Sequence, residues 1–156
     1  MTRWLSDDEQ VSWRALLDVM RLLPDRFNRE LAKNHGLSLP DFEILVKLSE
    51  APEAQMRMSQ LADQTVASRS RLSHECGRLE RNGFITRQAC EADGRGYWAV
   101  LTDLGWEKLR AAAPDHVETV RSQLVDLLTP SEFAELGRIA LKVSEHLKDV
   151  IDTSND

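Results

Sequence analysis

Residues 58–105, MSQLADQTVASRSRLSHECGRLERNGFITRQACEADGRGYWAVLTDLG, decide the fold. Met58 to Gln64 has the composition of a short helix, and Thr65-Val66-Ala67 reads as a tight turn. Ser68 to Asn82 then reads as a longer helix that stops at Gly83, a residue that takes the left-handed conformation cheaply. Two helices joined by so short a turn, the first the shorter, are helix-turn-helix grammar. Phe84 to Gln88 and Tyr97 to Leu101 read as paired strands around the polar, glycine-punctuated turn 91–96, which makes a β-hairpin. At about 100° per residue, Leu72, Cys76 and Leu79 share one side of the longer helix, while Ser70, His74, Gly77 and Arg81 share the other and Arg71 and Arg78 flank it.

That outer face has the chemistry of a major-groove reader. Its small residues allow close seating, and arginines at 71 and 78 carry the planar fork that matches O6 and N7 of guanine. Ser68, Arg69, Ser70 and the first amides of the helix are placed to hold phosphate oxygens. The bland alternative is a polar helix that touches only water. At the hairpin tip, Arg95 is placed to enter a minor groove, where negative potential attracts a guanidinium. Asp93 at the tip and Arg87 at the hairpin base form a second expectation, an ion pair that shapes the wing.

Outward from this core, Trp13, Leu16, Leu17, Met20, Leu23, Phe27 and Leu31 lay an apolar stripe along a helix from about Asp7 to Lys33, with Pro24 expected to kink or interrupt it. Ser38-Leu39-Pro40-Asp41 has the spacing of a helix start, and the helix it opens runs to about Glu50. A further helix is expected from Asp103 to Leu128, bent at Pro114. Thr129-Pro130-Ser131-Glu132 opens a last one, whose stripe is Phe133, Leu136, Ile139, Val143, Leu147 and Val150. Stripes on both terminal helices need a partner to cover them.

The 156 residues amount to about one domain, with 42% hydrophobic and 29% charged residues, as in a soluble globular chain. No apolar run approaches the roughly 18 residues of a spanning helix, and the start MTRWLSDDEQ turns acidic at once, so no signal peptide, no membrane association and a cytoplasmic protein are expected. The net charge of −6 argues on its face against a nucleic-acid partner. Its distribution argues the other way: residues 55–98 hold seven arginines and five acids, leaving the centre at +2 and the flanks together at −8. Screening within about 10 Å makes that local balance the relevant one.

Catalytic readings find little support. His74, Glu75 and Cys76 are adjacent on a helix and do not face one another. Neither a phosphate-cradling glycine loop nor G-x-S-x-G occurs, and no H-x-x-x-H or C-x-x-C spacing offers a metal site, so no enzyme, cofactor or metal is expected. Cys76 faces the core; Cys90 beside the hairpin is read as exposed, with Arg87 near enough to lower its pKa, which keeps a redox-responsive regulator open. A winged-helix protein-interaction adaptor is the other alternative. The four tryptophans, Trp4, Trp13, Trp98 and Trp106, are read as packing anchors.

The stretch 58–105 resembles the DNA-binding core of the MarR family of bacterial regulators. The resemblance rests on the short helix, the R-L-E-x-x-G that ends the longer one, Arg87 on the strand, D-x-R-G at Asp93 to Gly96, and L-T-x-x-G at Leu101 to Gly105. It implies a mainly α fold with a small β-hairpin wing: a winged helix-turn-helix lobe over 38–102, and helices over 1–36 and 103–152 that interlock as the base of a homodimer. It further implies that Ser68, Ser70, Arg71, His74 and Arg78 lie on the DNA side with Arg95 as the wing arginine. The expected activity is repression at a near-palindromic double-stranded operator, with release by a small phenolic or aromatic acid. An effector pocket between base and lobe would draw on Arg26, His35, Phe42 and His116.

Overall fold

A computed structural model describes residues 1–65, 69–90 and 96–153, with the backbone alone at 69 and 151–153. The chain divides into two compact units, 1–117 and 118–156. The first unit begins with α1 (Asp7–His35), opened by a capping box in which the Glu9 amide donates to Ser6 Oγ and the Ser6 amide to Glu9 Oε2. Gly36, at φ 63°, closes it. The helix runs through Pro24 without a break. The ring removes one hydrogen bond, to the carbonyl of Met20, and Met20 lies on an exposed stretch where water can take the donor's place.

The Ser-x-x-Asp signal gives α2 (Leu39–Glu50) its own capping box: the Asp41 amide donates to Ser38 Oγ, and the Ser38 amide to Asp41 Oδ2 at 2.9 Å. A tight turn at Pro52–Ala54, with Glu53 and Ala54 at positive φ, leads into β1 (Gln55–Arg57), a strand the sequence reading lacks. Then follow α3 (Met58–Thr65), α4 (Arg69–Arg81), β2 (Ile85–Ala89) and β3 (Tyr97–Leu101). The sheet has the order β1-β3-β2 and is antiparallel throughout, with Arg57 opposite Trp98 and Arg87 opposite Ala99. The wing therefore has three strands rather than a lone hairpin, and β1 anchors it to the turn before α3.

The core lies where these elements meet. Leu31 and Leu37 come from the α1 end, Ile44, Leu45 and Leu48 from α2, Leu61 from α3, Leu72, Cys76 and Leu79 from α4, and Ile85, Ala99 and Leu101 from the sheet; all are buried. The face of α4 that the spacing turns inward is thus the buried one.

The L-T-x-x-G stretch joins the wing to α5 (Asp103–Gln123). Thr102 Oγ1 donates to the Gly83 carbonyl at 2.6 Å and accepts from the Gly105 amide at 3.0 Å. A Cβ on Gly105 would fall 2.1 Å from the Phe84 carbonyl oxygen, so the helix start can lie against the strand start only with glycine there. α5 also runs through its proline, Pro114, and stops at Gln123, short of the expected Leu128. Residues Val125–Leu127 form a separate tight turn.

The second unit holds that turn and α6 (Pro130–Thr153), which is capped by Thr129 and Glu132. Phe133, Leu136, Ile139, Val143, Leu147 and Val150 are all exposed along α6. No helix among the described residues is long and apolar enough to cross a membrane.

Candidate nucleic-acid interface

Ser70, Arg71, Ser73, His74 and Arg81 are exposed on α4, opposite its buried side. Gly77 among them keeps the surface low; a Cβ there would meet nothing nearer than the end of Arg81, at 3.5 Å. Arg71 is 68% exposed, and its Nε donates to Glu75 Oε1 at 3.1 Å.

Arg78 goes elsewhere. Its Nη2 donates to Asp41 Oδ1 at 2.6 Å and to Ser38 Oγ at 3.2 Å, and its Nε to both Asp41 oxygens at 3.2 Å. The Asp41 side chain is only 5% exposed, so the capping carboxylate of α2 is also the anchor that holds α4. This contact raises the Arg78 pKa above its ordinary value, first through the hydrogen bonds to Asp41. The structure thus brings Ser70, Arg71 and His74 to one outer face and holds Arg78 apart from them, on the flank turned to α2.

Arg87 is tied to the other end of α4. Its Nη2 lies 2.6 Å from Glu80 Oε2, and its backbone amide donates to Glu80 Oε1. These bonds hold the Glu80 carboxyl below the usual carboxylate range and raise Arg87. Glu80 is the partner that fixes the wing base here. Asp93, the acid the sequence pairs with Arg87, lies outside the described residues, as do Ser68, Arg95 and the side chain of Arg69.

Cys90 is buried, against the exposed position expected for it. Its amide donates to the Gly96 carbonyl at 3.1 Å. Cys76 is buried as well, and burial pushes its thiol up to about 12, far from a reactive thiolate. Among the described residues no group of three or more His, Cys, Asp or Glu is placed to hold a metal. Trp98 and Trp106 each lie under a guanidinium, Arg57 at 5.4 Å and Arg110 at 5.2 Å, whereas Trp4 and Trp13 are exposed rather than packed.

Three of the four effector candidates gather near the start of α2. The His116 ring stands edge-on to Phe27 at 5.2 Å and tilted over Phe42 at 4.6 Å. His35 Nε2 lies 2.8 Å from Asp115 Oδ2. Arg26 instead pairs along its own helix with Glu30. His116 Nδ1 is buried without a hydrogen-bond partner among the described residues, and burial lowers the His116 pKa. A cavity of about 300 Å³ opens between α4 and the wing base, lined by Met58, Leu72, Ser73, Arg87, Gly96 and Tyr97 among others.

Residues 35–96 match the model of the MarR family. The HTH-type transcriptional regulator PecS of Dickeya dadantii is 31% identical over 136 residues, which span 84% of this chain and 79% of PecS. The chain belongs to the MarR family. It is a winged helix-turn-helix, DNA-binding transcriptional regulator and not an enzyme. Two solved structures from Streptomyces coelicolor are closer in sequence. The MarR family regulator AbsC is 46% identical with a TM-score of 0.89, over 95% of this chain and 99% of AbsC. The MarR family regulator Sco3205, solved in complex with DNA, is 43% identical with a TM-score of 0.91, over 94% of this chain and 92% of Sco3205.

Proposed function

We propose that this MarR-family protein is a homodimeric repressor that reads a near-palindromic duplex operator and is released by a small aromatic effector. The observation that carries the reading is the outer face of α4: two serines, a histidine and Arg71 exposed on a helix clamped by ion pairs to α2 at one flank and to the wing at its end. A rigid polar helix with an exposed guanidinium suits base-edge readout. Residues 38–102 serve as the DNA lobe, and 1–36 with 103–152 as the dimer base. Ser68, Arg69 and Arg95 complete the phosphate and minor-groove contacts. Inverted half-sites about one helical turn apart follow from two identical lobes related by two-fold symmetry.

The test is selection of bound sequences from a random duplex pool, followed by titration at several salt concentrations. A symmetric consensus and a steep fall of affinity with salt are expected. Arg71→Ala relaxes the preference at one base position and costs about 1–3 kcal/mol there. Affinity indifferent to salt would overturn the DNA reading in favour of an adaptor.

For the effector, the candidate is the aromatic corner where His116 packs against Phe27 and Phe42 and buries an Nδ1 that no described group bonds. The burial of Cys90 removes the ground for a redox trigger there. The same corner has a pH signature. Burial lowers the His116 pKa, so folding favours the neutral ring. That stabilisation is complete above the unfolded value of about 6.5 and is lost as pH falls through the lower folded value. The melting temperature is therefore expected to fall on acidification from pH 7.5 into that window. His116→Phe should flatten this fall. An unchanged slope would show that His116 does not titrate on folding.

A further inference from the structure

Glu75 is the acid that DNA binding should not want. It sits in the middle of α4, four residues after Arg71 and three before Arg78, and it is 7% exposed. A buried carboxylate must be paired, and one carried on a helix that meets phosphates adds repulsion as well. Helix propensity does not account for it, because an arginine four residues before a glutamate is the weaker orientation of an i,i+4 pair. Core packing does not account for it either, since the apolar positions of α4 are Leu72, Cys76 and Leu79.

Its contacts do. Glu75 Oε1 accepts from Arg71 Nε at 3.1 Å, and the two side chains differ sharply in exposure, 9% for Glu75 and 68% for Arg71. One end of the pair is fixed in the protein and the other reaches out. Burial alone fixes the Glu75 end: its charge helps to raise the Arg78 pKa, while the nearby Glu43 carboxyl on α2, raised first by burial and then by Glu75, repels it and leaves Arg71 as its bonded partner. Glu75 thus stands between Arg71, which it bonds, and Arg78, which Asp41 bonds.

An arginine bonded through Nε has its guanidinium plane fixed, and the outer edge of the fork carries the two Nη groups, whose spacing matches O6 and N7 of one guanine. An arginine on a flexible stem would instead settle on the nearest phosphate and carry no sequence information.

We propose that Glu75 is a specificity-determining positioning residue: it holds Arg71 in the plane that reads a guanine edge and keeps it off the phosphate backbone. This rests on the proposed role of Arg71 in operator reading. The experiment compares Glu75→Gln, Arg71→Ala and the double variant in the full-length protein, by selection from a random duplex pool and by titration of the selected operator and of an unrelated duplex against salt.

In Glu75→Gln, the preference at the Arg71-dependent base pair is expected to fall about tenfold. Affinity for the unrelated duplex should hold or rise, and its salt slope should steepen by about one as Arg71 moves to a phosphate. The double variant should match Arg71→Ala. Retained base preference in Glu75→Gln, or a uniform loss on both duplexes that tracks a lower melting temperature, would overturn the proposal. If Arg71→Ala itself shifts no base preference, the reading role of Arg71 fails first and the proposal falls with it. Glu75→Asp keeps the charge but draws it back from Nε; it should relax the same base pair, and it serves if Glu75→Gln does not fold.

Discussion

Replacing Arg78 with alanine is expected to cost about 3 kcal/mol of stability, which for a chain of this size is a fall of roughly 6–12 °C in melting temperature. The reason lies in what remains. Asp41 is 4% exposed, and its carboxylate accepts from Arg78 Nε, Arg78 Nη2 and the Ser38 amide. Without the guanidinium, a buried charge keeps one backbone donor and no counter-ion. Breaking a buried pair from one side costs about 3–5 kcal/mol, and the lower end applies because the Arg78 side chain is 37% exposed and water can partly replace it. Asp41→Asn added to Arg78→Ala removes the orphaned charge and should recover part of the loss, which a double-mutant cycle by thermal melting measures. The DNA consequence separates two roles for this residue. As the tether between α2 and α4, Arg78→Ala lowers affinity across all sequences by letting α4 shift. As a base contact, it would melt like the parent and lose preference at one position, and that outcome would return Arg78 to the DNA side.

This tether also shows where a sequence stops being legible. Ser38 and Asp41 are readable as a helix start because a capping box is local, three residues long and made of residue types with one main use there. The inward face of α4 is readable because Leu72, Cys76 and Leu79 keep helical spacing, and Tyr97–Leu101 forms the expected strand because its apolar run is bounded by glycine and a helix start. That Asp41 caps α2 and grips α4 at once is not readable: its partner lies 37 residues away, and no period connects them. Arg87 makes the same point at shorter range. Its described partner is Glu80 on the preceding helix, and only the angle between helix and strand decides that.

Strand β1 escapes because three residues carry no alternation. Its pairing with β3 exists only once the wing is folded, where Gln55 meets Val100. Prolines 24 and 114 lie inside continuous helices, so neither marks a helix end. Each removes one helical hydrogen bond, a local cost of about 3 kcal/mol, which a long helix with packing and caps outweighs. Cys90 shows the limit for exposure. A thiol at the end of a strand is read as open, yet the folded chain buries it.

The largest effect is expected from a single charge on α6. Phe133, Leu136, Ile139, Val143, Leu147 and Val150 follow one another at three- and four-residue steps, each between 39% and 53% exposed. On α1, Trp13, Leu16, Leu17 and Met20 are exposed in the same way. Apolar stripes of this length on both terminal helices are what a second copy would cover, and with two-fold symmetry each substitution enters the interface twice. Ile139→Glu therefore places two carboxylates in a surface that the proposed dimer desolvates, with no counter-ion supplied, at several kcal/mol apiece. The variant is expected to be a monomer by light scattering. Its operator affinity should fall about 10²–10⁴-fold, because a lone lobe forfeits the effective concentration that ties the second lobe to its half-site. Each monomer should still bind duplex DNA weakly and with strong salt dependence, since the outer face of α4 is untouched. Lys142→Glu changes charge on the same helix outside the stripe and should leave mass and affinity near the parent's. A dimeric Ile139→Glu with full affinity would place the subunit interface away from this stripe.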